Sequence, residues 1–433
     1  DLVTEINSLQ KGLNINGRKL SLLLYADDIV LLANTARDLQ SMLTVLGAWC
    51  QRWGLTVNPR KTKVVHFRPR GKPRTNFAFM CGNDCIETVN RYKYLGLWFS
   101  DDINLKYMAE QVAASAHRAL GLVIAKSKSI GSLPYQCFTK LYDSFVQSVI
   151  DYGACVWGSK EFECIKAVQH RAMRFFLGVH KKTTNSAVLG EMGWTPQEVH
   201  QKVCVMRQLL RYSRMKETRI NLHVMKWALG KGCNNWLYQL KSMLKSLDMC
   251  HWMNFDLRYG KSELSELKDL LMSEFIEKWM EDLHRVGAKR GEGLNKLRTY
   301  RLFKSSYGTE KYLCDRSMAV ADRKALTKLR SGCAPIAVEV GRFKNGKYIP
   351  YENRICTVCS GGIEDEFHVM MTCNLYDDIR EELFEMAISL VPDFDSMQLL
   401  DKFVFLMSED ILAKHTAKAC KLILKRRKEF LQS

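Results

Sequence analysis

Long apolar runs are missing from this sequence. No stretch approaches the roughly 20 residues of a helical membrane span, so no membrane partner is expected. The first residues carry no signal-peptide pattern. Internal repeats and low-complexity segments are also absent, which excludes a repeat array. Cysteine lacks the even count and regular spacing of a secreted disulfide framework: fifteen thiols fall at irregular intervals. Reduced thiols, and hence a nuclear or cytoplasmic protein, are expected. Acidic charge is short, with 46 Asp and Glu against 65 Lys and Arg, a net charge of +19. Such an excess needs an acidic partner, usually nucleic acid and alternatively an anionic membrane surface. What is present is globular: 433 residues, 47% of them hydrophobic, enough for two to four domains.

The chain is organised around Tyr25-Ala26-Asp27-Asp28. Apolar runs flank it, Leu20 to Leu24 and Ile29 to Leu32, which reads as strand, turn, strand. Two adjacent carboxylates at a hairpin tip repel each other. A hard divalent cation such as Mg²⁺ relieves that repulsion, and a metal pair can align both oxygens of a phosphoryl displacement. An ordinary polar turn would account for the two aspartates as well. Around it, Asn16-Gly17 marks a hairpin. Thr35 to Asp38 opens a helix whose Leu39, Met42, Leu43, Leu46, Trp49 and Trp53 share a face, and Gly54 ends it. A strand is expected over Lys63 to Phe67, a hairpin about Gly82-Asn83-Asp84, and a last strand over Tyr92 to Phe99. The result is an α+β block over residues 1–105.

Helical periodicity then takes over. Met108 to Ile124, Pro134 to Val149 and Phe162 to Leu177 read as helices within residues 106–200, and Pro196 to Arg219 as a longer one. Arg207, Arg211 and Arg214 fall at i, i+4 and i+7, either a phosphate track or a solvated face. Leu264, Leu267, Leu271, Phe275 and Trp279 make a core stripe. Residues 201–345 form a basic helical connector, in which Lys289, Arg290, Lys296, Arg298, Arg301 and Lys304 interleave with Tyr300, Phe303 and Tyr307. Cations that neutralise phosphates and rings that stack on bases would suit single-stranded nucleic acid. Within residues 346–382, Cys356, Cys359, His368 and Cys373 have the pattern C-x₂-C-x₈-H-x₄-C. Three thiolates and an imidazole make a closed tetrahedral site for structural Zn²⁺; the competing reading is ordinary thiols and a surface histidine. Residues 383–433 form a helical basic tail with Lys421, Lys425, Arg426, Arg427 and Lys428, either a nuclear import signal or a solvated helix end.

Tyr25-Ala26-Asp27-Asp28 followed by Ile-Val-Leu-Leu-Ala resembles the metal-binding motif of reverse transcriptases of non-LTR (LINE-type) retrotransposons. Gly54 to Lys63 resembles the family's next motif, and Tyr92-Lys93-Tyr94-Leu95-Gly96 its primer grip. Asp151-Tyr152-Gly153, continuing to Trp157-Gly158, and the Cys/His cluster resemble later segments of the same family. The resemblance implies the carboxy-terminal half of an RNA-directed DNA polymerase: partial palm, helical thumb, connector and zinc knuckle. It implies Mg²⁺ on Asp27 and Asp28, and Lys61 neutralising the leaving pyrophosphate, although Lys63 fits by spacing too. It implies a primer grip at Tyr94, Leu95 and Gly96, and an RNA template with a DNA primer or target as partners. For Tyr94, a half-buried strand aromatic is the competing reading. The family's third carboxylate, Gln-bearing helix and fingers are expected upstream of Asp1, so the chain is expected to be inactive alone. The alternative is a non-catalytic nucleic-acid-binding remnant that keeps thumb and knuckle.

Overall fold

A computed structural model describes residues 1–231, 235–250, 261–285 and 296–432; Lys289 and Arg290 lie outside them. Short strands and many helices make the chain an α+β protein. It divides into two compact units, each drawn from separated stretches. The first comprises Asp1–Ala114, Ile150–Cys164 and Gln201–Glu266; the second comprises Ser115–Val149, Ile165–His200 and Leu267–Ser433. These units do not coincide with the five consecutive segments expected from the sequence.

In the first unit every strand among the described residues has a single partner. Asn16 and Gly17, at φ +47° and +81°, turn Leu13–Ile15 back onto Arg18–Leu20. Leu22–Tyr25 pairs antiparallel with Asp28–Leu31, Tyr25 opposite Asp28, so Ala26-Asp27 forms a two-residue turn. Leu22 and Leu31 of this hairpin pack on Leu2, Ile6, Met42, Leu46 and Cys50. Those core residues come from helices Leu2–Ser8 and Ala36–Arg52. The Thr35 hydroxyl accepts the Asp38 N–H at 3.1 Å and caps the longer helix, as Ser and Thr do for the otherwise unsatisfied first turn. Gly54, at φ +64°, follows its end. Trp53 departs from the expected buried stripe and is 60% exposed, because it sits at the helix cap beyond the last packed turn.

A second core joins Leu43, Val64, Phe79, Cys81 and Ile86. The strand expected over Lys63 to Phe67 shortens to Val64–Val65 and pairs in parallel with Thr88–Val89. It stops there because the Arg68 N–H turns to the Asp101 carbonyl at 2.9 Å and Phe67 faces solvent. Phe79–Cys81 and Asp84–Ile86 form the hairpin about Gly82-Asn83. The single strand expected over Tyr92 to Phe99 is instead a hairpin, Arg91–Tyr94 against Leu97–Ser100. Leu95 and Gly96 have φ +45° and +85°, the left-handed pair that a two-residue hairpin turn requires.

The second unit is mainly helical. Phe138, Tyr142, Phe176 and Trp194 stack in its core, with centroids of 4.6 Å for Tyr142–Trp194 and 5.1 Å for Phe138–Phe176. The helix expected over Pro134 to Val149 is broken into Tyr135–Tyr142, a π-helical turn Asp143–Gln147, and Ser148–Asp151. Trp279 and Leu283 of Lys261–His284 pack on Ala187, Leu297 and Tyr300, so the apolar stripe of that helix is core.

Buried carboxylates organise the rest of the unit. Glu191, Glu364 and Glu366 are fully buried. Each meets a buried arginine: Arg330 at 2.9 Å, Arg427 at 2.5 Å and Arg298 at 2.7 Å. Burial of such ions is tolerated only when both partners are hydrogen-bonded and paired.

These pairs correct the connector reading. Arg298 lies between Glu366 and Glu339, and Lys304 is paired with Glu310. Burial alone would depress the Arg298 guanidinium, but Glu366 and Glu339 outweigh it and raise its pKa. Lys296 is mostly buried and held by Glu339 at 3.0 Å. Tyr300 is buried and Tyr307 donates to the Trp194 carbonyl at 2.6 Å. Those cations answer carboxylates within the fold, and those rings fill core, so neither forms a phosphate-and-base surface. Of the six named connector cations four are described, and of these Arg301 alone carries no ion pair among the described residues; it is half-buried. Arg426 and Arg427 of the tail helix Ala413–Phe430 are likewise paired, with Asp378 and Glu364, which leaves no continuous run of free cations there.

Candidate functional site

Three of the motifs singled out in the sequence lie in the first unit. Asp27 and Asp28 stand exposed on their turn. Ala26, at φ +52°, supplies the left-handed residue that lets the turn close. Tyr94 lies on the Arg91–Tyr94/Leu97–Ser100 hairpin, half-buried. Burial first, and then the negative charge of Asp28, push its phenol above the ordinary value. The Tyr92 hydroxyl donates to the Lys61 carbonyl at 2.9 Å. Asn58 holds the same loop, its side-chain oxygen accepting the Arg60 and Lys61 N–H groups at 3.0 and 3.2 Å. The two candidate lysines separate here. Lys63 is engaged by Glu87 at 2.8 Å, whereas exposed Lys61 has no ion-pair partner among the described residues.

Sequence reasoning left Asp151 to Gly158 without a role. The Tyr152 hydroxyl donates to the Leu95 carbonyl at 2.5 Å. A Cβ on Gly96 would stand 3.0 Å from the Tyr152 ring, so the glycine permits that close approach. Gly153 has φ +67°, and a Cβ there would fall 2.4 Å from Leu97 Cδ1. Tyr152 and Gly153 therefore clamp the Leu95-Gly96 turn from behind. Neither could be placed from the sequence, because the contact spans more than fifty residues. Arg207 and Arg211 are exposed along helix Gln197–Ser213, and Arg214 lies just past its end, also exposed.

The second site lies in the second unit. One ligand atom from each of Cys356, Cys359, His368 and Cys373 lies within 4.8 Å of all the others. It is the only group of three or more His, Cys, Asp or Glu residues so placed among the described residues. A bridge between Ile355 and Ile363 folds the first cysteine pair back, and the Cys356 N–H donates to the Gly362 carbonyl at 2.8 Å. Asp365 caps the short helix Glu366–Met371 by accepting the His368 N–H at 2.8 Å. The Cys356 and Cys373 sulfurs are 3.9 Å apart, and Cys359 Sγ is 3.3 Å from His368 Nε2. Tetrahedral Zn–S bonds of about 2.3 Å would separate two sulfurs by roughly 3.8 Å, so the donors fit that ion. Thr372 Oγ1 lies 3.0 Å from His368 Nδ1, leaving Nε2 to face the cluster. Burial holds His368 below its ordinary value, hence neutral, and pushes the Cys373 thiol up to about 12. Only a cation would make such thiols ionise.

Residues 4–99 match the family model of reverse transcriptase (RNA-dependent DNA polymerase). The chain is 30% identical over 145 residues to a transposon-derived protein of Caenorhabditis elegans, a match covering 34% of this chain and 51% of that one. It is 29% identical over 170 residues to a Drosophila melanogaster protein named as an RNA-directed DNA polymerase from transposon BS, covering 36% and 18%. It is 34% identical over 97 residues to the Pol polyprotein of the type-1 retrotransposable element R2 of Nasonia vitripennis, covering 21% and 10%. The chain thus spans about half the length of the first relative and less than a fifth of the other two. Residues 4–99 are thus similar to a reverse transcriptase domain, and the relatives named here are transposon proteins. No helix among the described residues is long and apolar enough to cross a membrane.

Proposed function

We propose that this chain is part of a LINE-type RNA-directed DNA polymerase, carrying a palm segment, a helical thumb over 106–200 and a zinc-stapled region about residues 346–382. The observation that supports the reading is one hairpin whose Tyr94 feels the charge of Asp28 and whose Tyr92 hydroxyl holds the Lys61 carbonyl at 2.9 Å. In it, Asp27 and Asp28 would hold Mg²⁺, which supplies charge neutralisation at the reacting phosphates. Exposed Lys61 is free to neutralise the leaving pyrophosphate. Leu95 and Gly96, held by Tyr152, back the primer end. RNA template and DNA primer or target are the partners, met in the nucleus or cytoplasm. Cys356, Cys359, His368 and Cys373 would hold Zn²⁺ as a fold staple.

Two exposed carboxylates make a poor Mg²⁺ site on their own, because Mg²⁺ gives up its waters reluctantly. No third carboxylate joins them among the described residues, so catalysis needs one from elsewhere. Primer extension on a homopolymer template decides this. The isolated chain should bind primer–template with affinity falling steeply as salt rises, and should incorporate nothing with Mg²⁺ or Mn²⁺. Robust incorporation lost in Asp27→Ala would show that the chain is self-sufficient. Binding insensitive to salt would contradict the partner assignment.

A further inference from the structure

The second unit carries a groove that the polymerase reading leaves unused. It runs between helices Val320–Arg330 and Ala413–Phe430 and encloses about 550 Å³. Its floor is aliphatic: Ala321 and Ala325 from one helix, Leu424 from the other and Leu431 just past that helix's end. Ala321 and Ala325 stand at i and i+4, on one face of the first helix. Leu431 is 51% exposed. Small residues on one wall and long ones on the other leave room for several aliphatic side chains. The rim is basic, with Lys328 on the first helix and Lys421, Lys425 and Lys428 on the second. Lys421 and Lys425 have acidic neighbours, Asp322 at 2.7 Å and Glu429 at 3.7 Å. Lys328 and Lys428, on opposite walls, have no ion-pair partner among the described residues, and no acidic residue lines the groove.

We propose that this groove receives an amphipathic helix of a partner protein, apolar along its centre and rich in Asp and Glu along both flanks. An aliphatic strip with Lys328 on one wall and Lys421, Lys425 and Lys428 on the other is the complement of that helix, which would bury its anchors along one face. Charge on the rim steers such a partner and fixes its direction, while the floor supplies the affinity. A nucleic-acid strand fits the surface less well. The lining holds no aromatic side chain on which a base could stack, and a sugar–phosphate chain would leave the aliphatic floor uncovered. The inference is independent of the polymerase reading, since every residue in it belongs to the second unit.

The probe is a fluorescein-labelled helical peptide of about 18 residues with Leu at the anchor positions and Glu on both flanks, followed by fluorescence anisotropy on the full chain. Saturable binding is expected. Lys328→Glu combined with Lys428→Glu should weaken it by about tenfold or more. Ala321→Trp, which fills the groove from an exposed position without changing charge, should weaken it comparably, and circular dichroism should show both variants folded. Failure of the native chain to bind the peptide overturns the proposal, and so does binding equal in both variants. Single-stranded RNA that binds the native chain, is lost with Ala321→Trp and is not displaced by the peptide would make the groove a phosphate track and overturn it equally.

Discussion

Removing the cation from the Cys/His cluster should loosen the Cys356–Gly362 turn and leave the remainder of the second unit folded. Structural zinc contributes its binding free energy to folding, on the order of 10 kcal/mol or more in isolated small zinc modules. The cluster here is not isolated. Glu364, inside the ligand loop, accepts two hydrogen bonds from Arg427 at 2.5 and 2.7 Å and the Ala337 N–H at 2.8 Å. Glu366 is held by Arg298 at 2.7 Å, and Val369, Met370 and Met371 are buried. Breaking one such buried ion pair would cost about 3–5 kcal/mol, so these anchors keep the His368 helix docked without metal. The Cys356–Gly362 turn has no comparable anchor. Its Ser360 and Gly361 are exposed, and its backbone bonds are local. The assay is limited proteolysis with mass spectrometry, before and after chelation, beside elemental zinc analysis. One zinc per chain is expected, lost with Cys359→Ala, with new cuts confined to the Cys356–Gly362 turn. Affinity should fall on acidification, since each thiolate must outcompete a proton. A chain without stoichiometric zinc, or a Cys359→Ala variant that keeps it, would refute the reasoning. Global unfolding on chelation would refute the anchoring argument specifically.

Two further outcomes follow from geometry elsewhere. Gly153→Ala must hold a left-handed φ and push Leu97 aside, so it should destabilise the first unit by about 2–4 kcal/mol; an unchanged urea midpoint would contradict the clamp on Leu95-Gly96. His170 is pushed from 6.5 to about 4 by burial, then by Arg174 and Lys166. The unfolded chain therefore takes up a proton near 6.5 that the folded chain refuses until about 4. Stability present above pH 6.5 should decline by about 2–3 kcal/mol as pH falls through that window. His170→Gln should flatten that decline in thermal unfolding followed against pH, and an unaltered slope would assign it to other groups.

The local parts of this architecture were legible in the sequence. The Tyr25 to Asp28 turn, the helix opened by Thr35 and the Cys/His spacing each depend on neighbours a few residues away, and each forms where expected. What escaped depends on distant partners. Val64–Val65 reads as one edge of a longer strand until Thr88–Val89 pairs with it in parallel. Lys296 and Arg298 look like a phosphate track because Glu339 and Glu366, which neutralise them, lie far along the chain. Charge on a sequence gives no sign of burial when its counter-ion is far away. The candidate site shows the same division: Asp27 and Asp28 stand out by pattern and Lys61 and Tyr94 through the family resemblance, whereas Tyr152 and Gly153 acquire a role only once their loop reaches the Leu95-Gly96 turn.

The central claim, that Asp27 and Asp28 form a divalent-metal site beside the Tyr94 hairpin, is most directly tested by iron-mediated cleavage. Fe²⁺ replaces Mg²⁺ at oxygen sites, and with ascorbate and peroxide it cuts the backbone beside wherever it binds. The account predicts cuts clustered at Tyr25 to Ile29 and at Tyr94 to Gly96, suppressed by excess Mg²⁺ and absent in Asp27→Asn. Cuts that spare both turns, or that persist in Asp27→Asn, would contradict it.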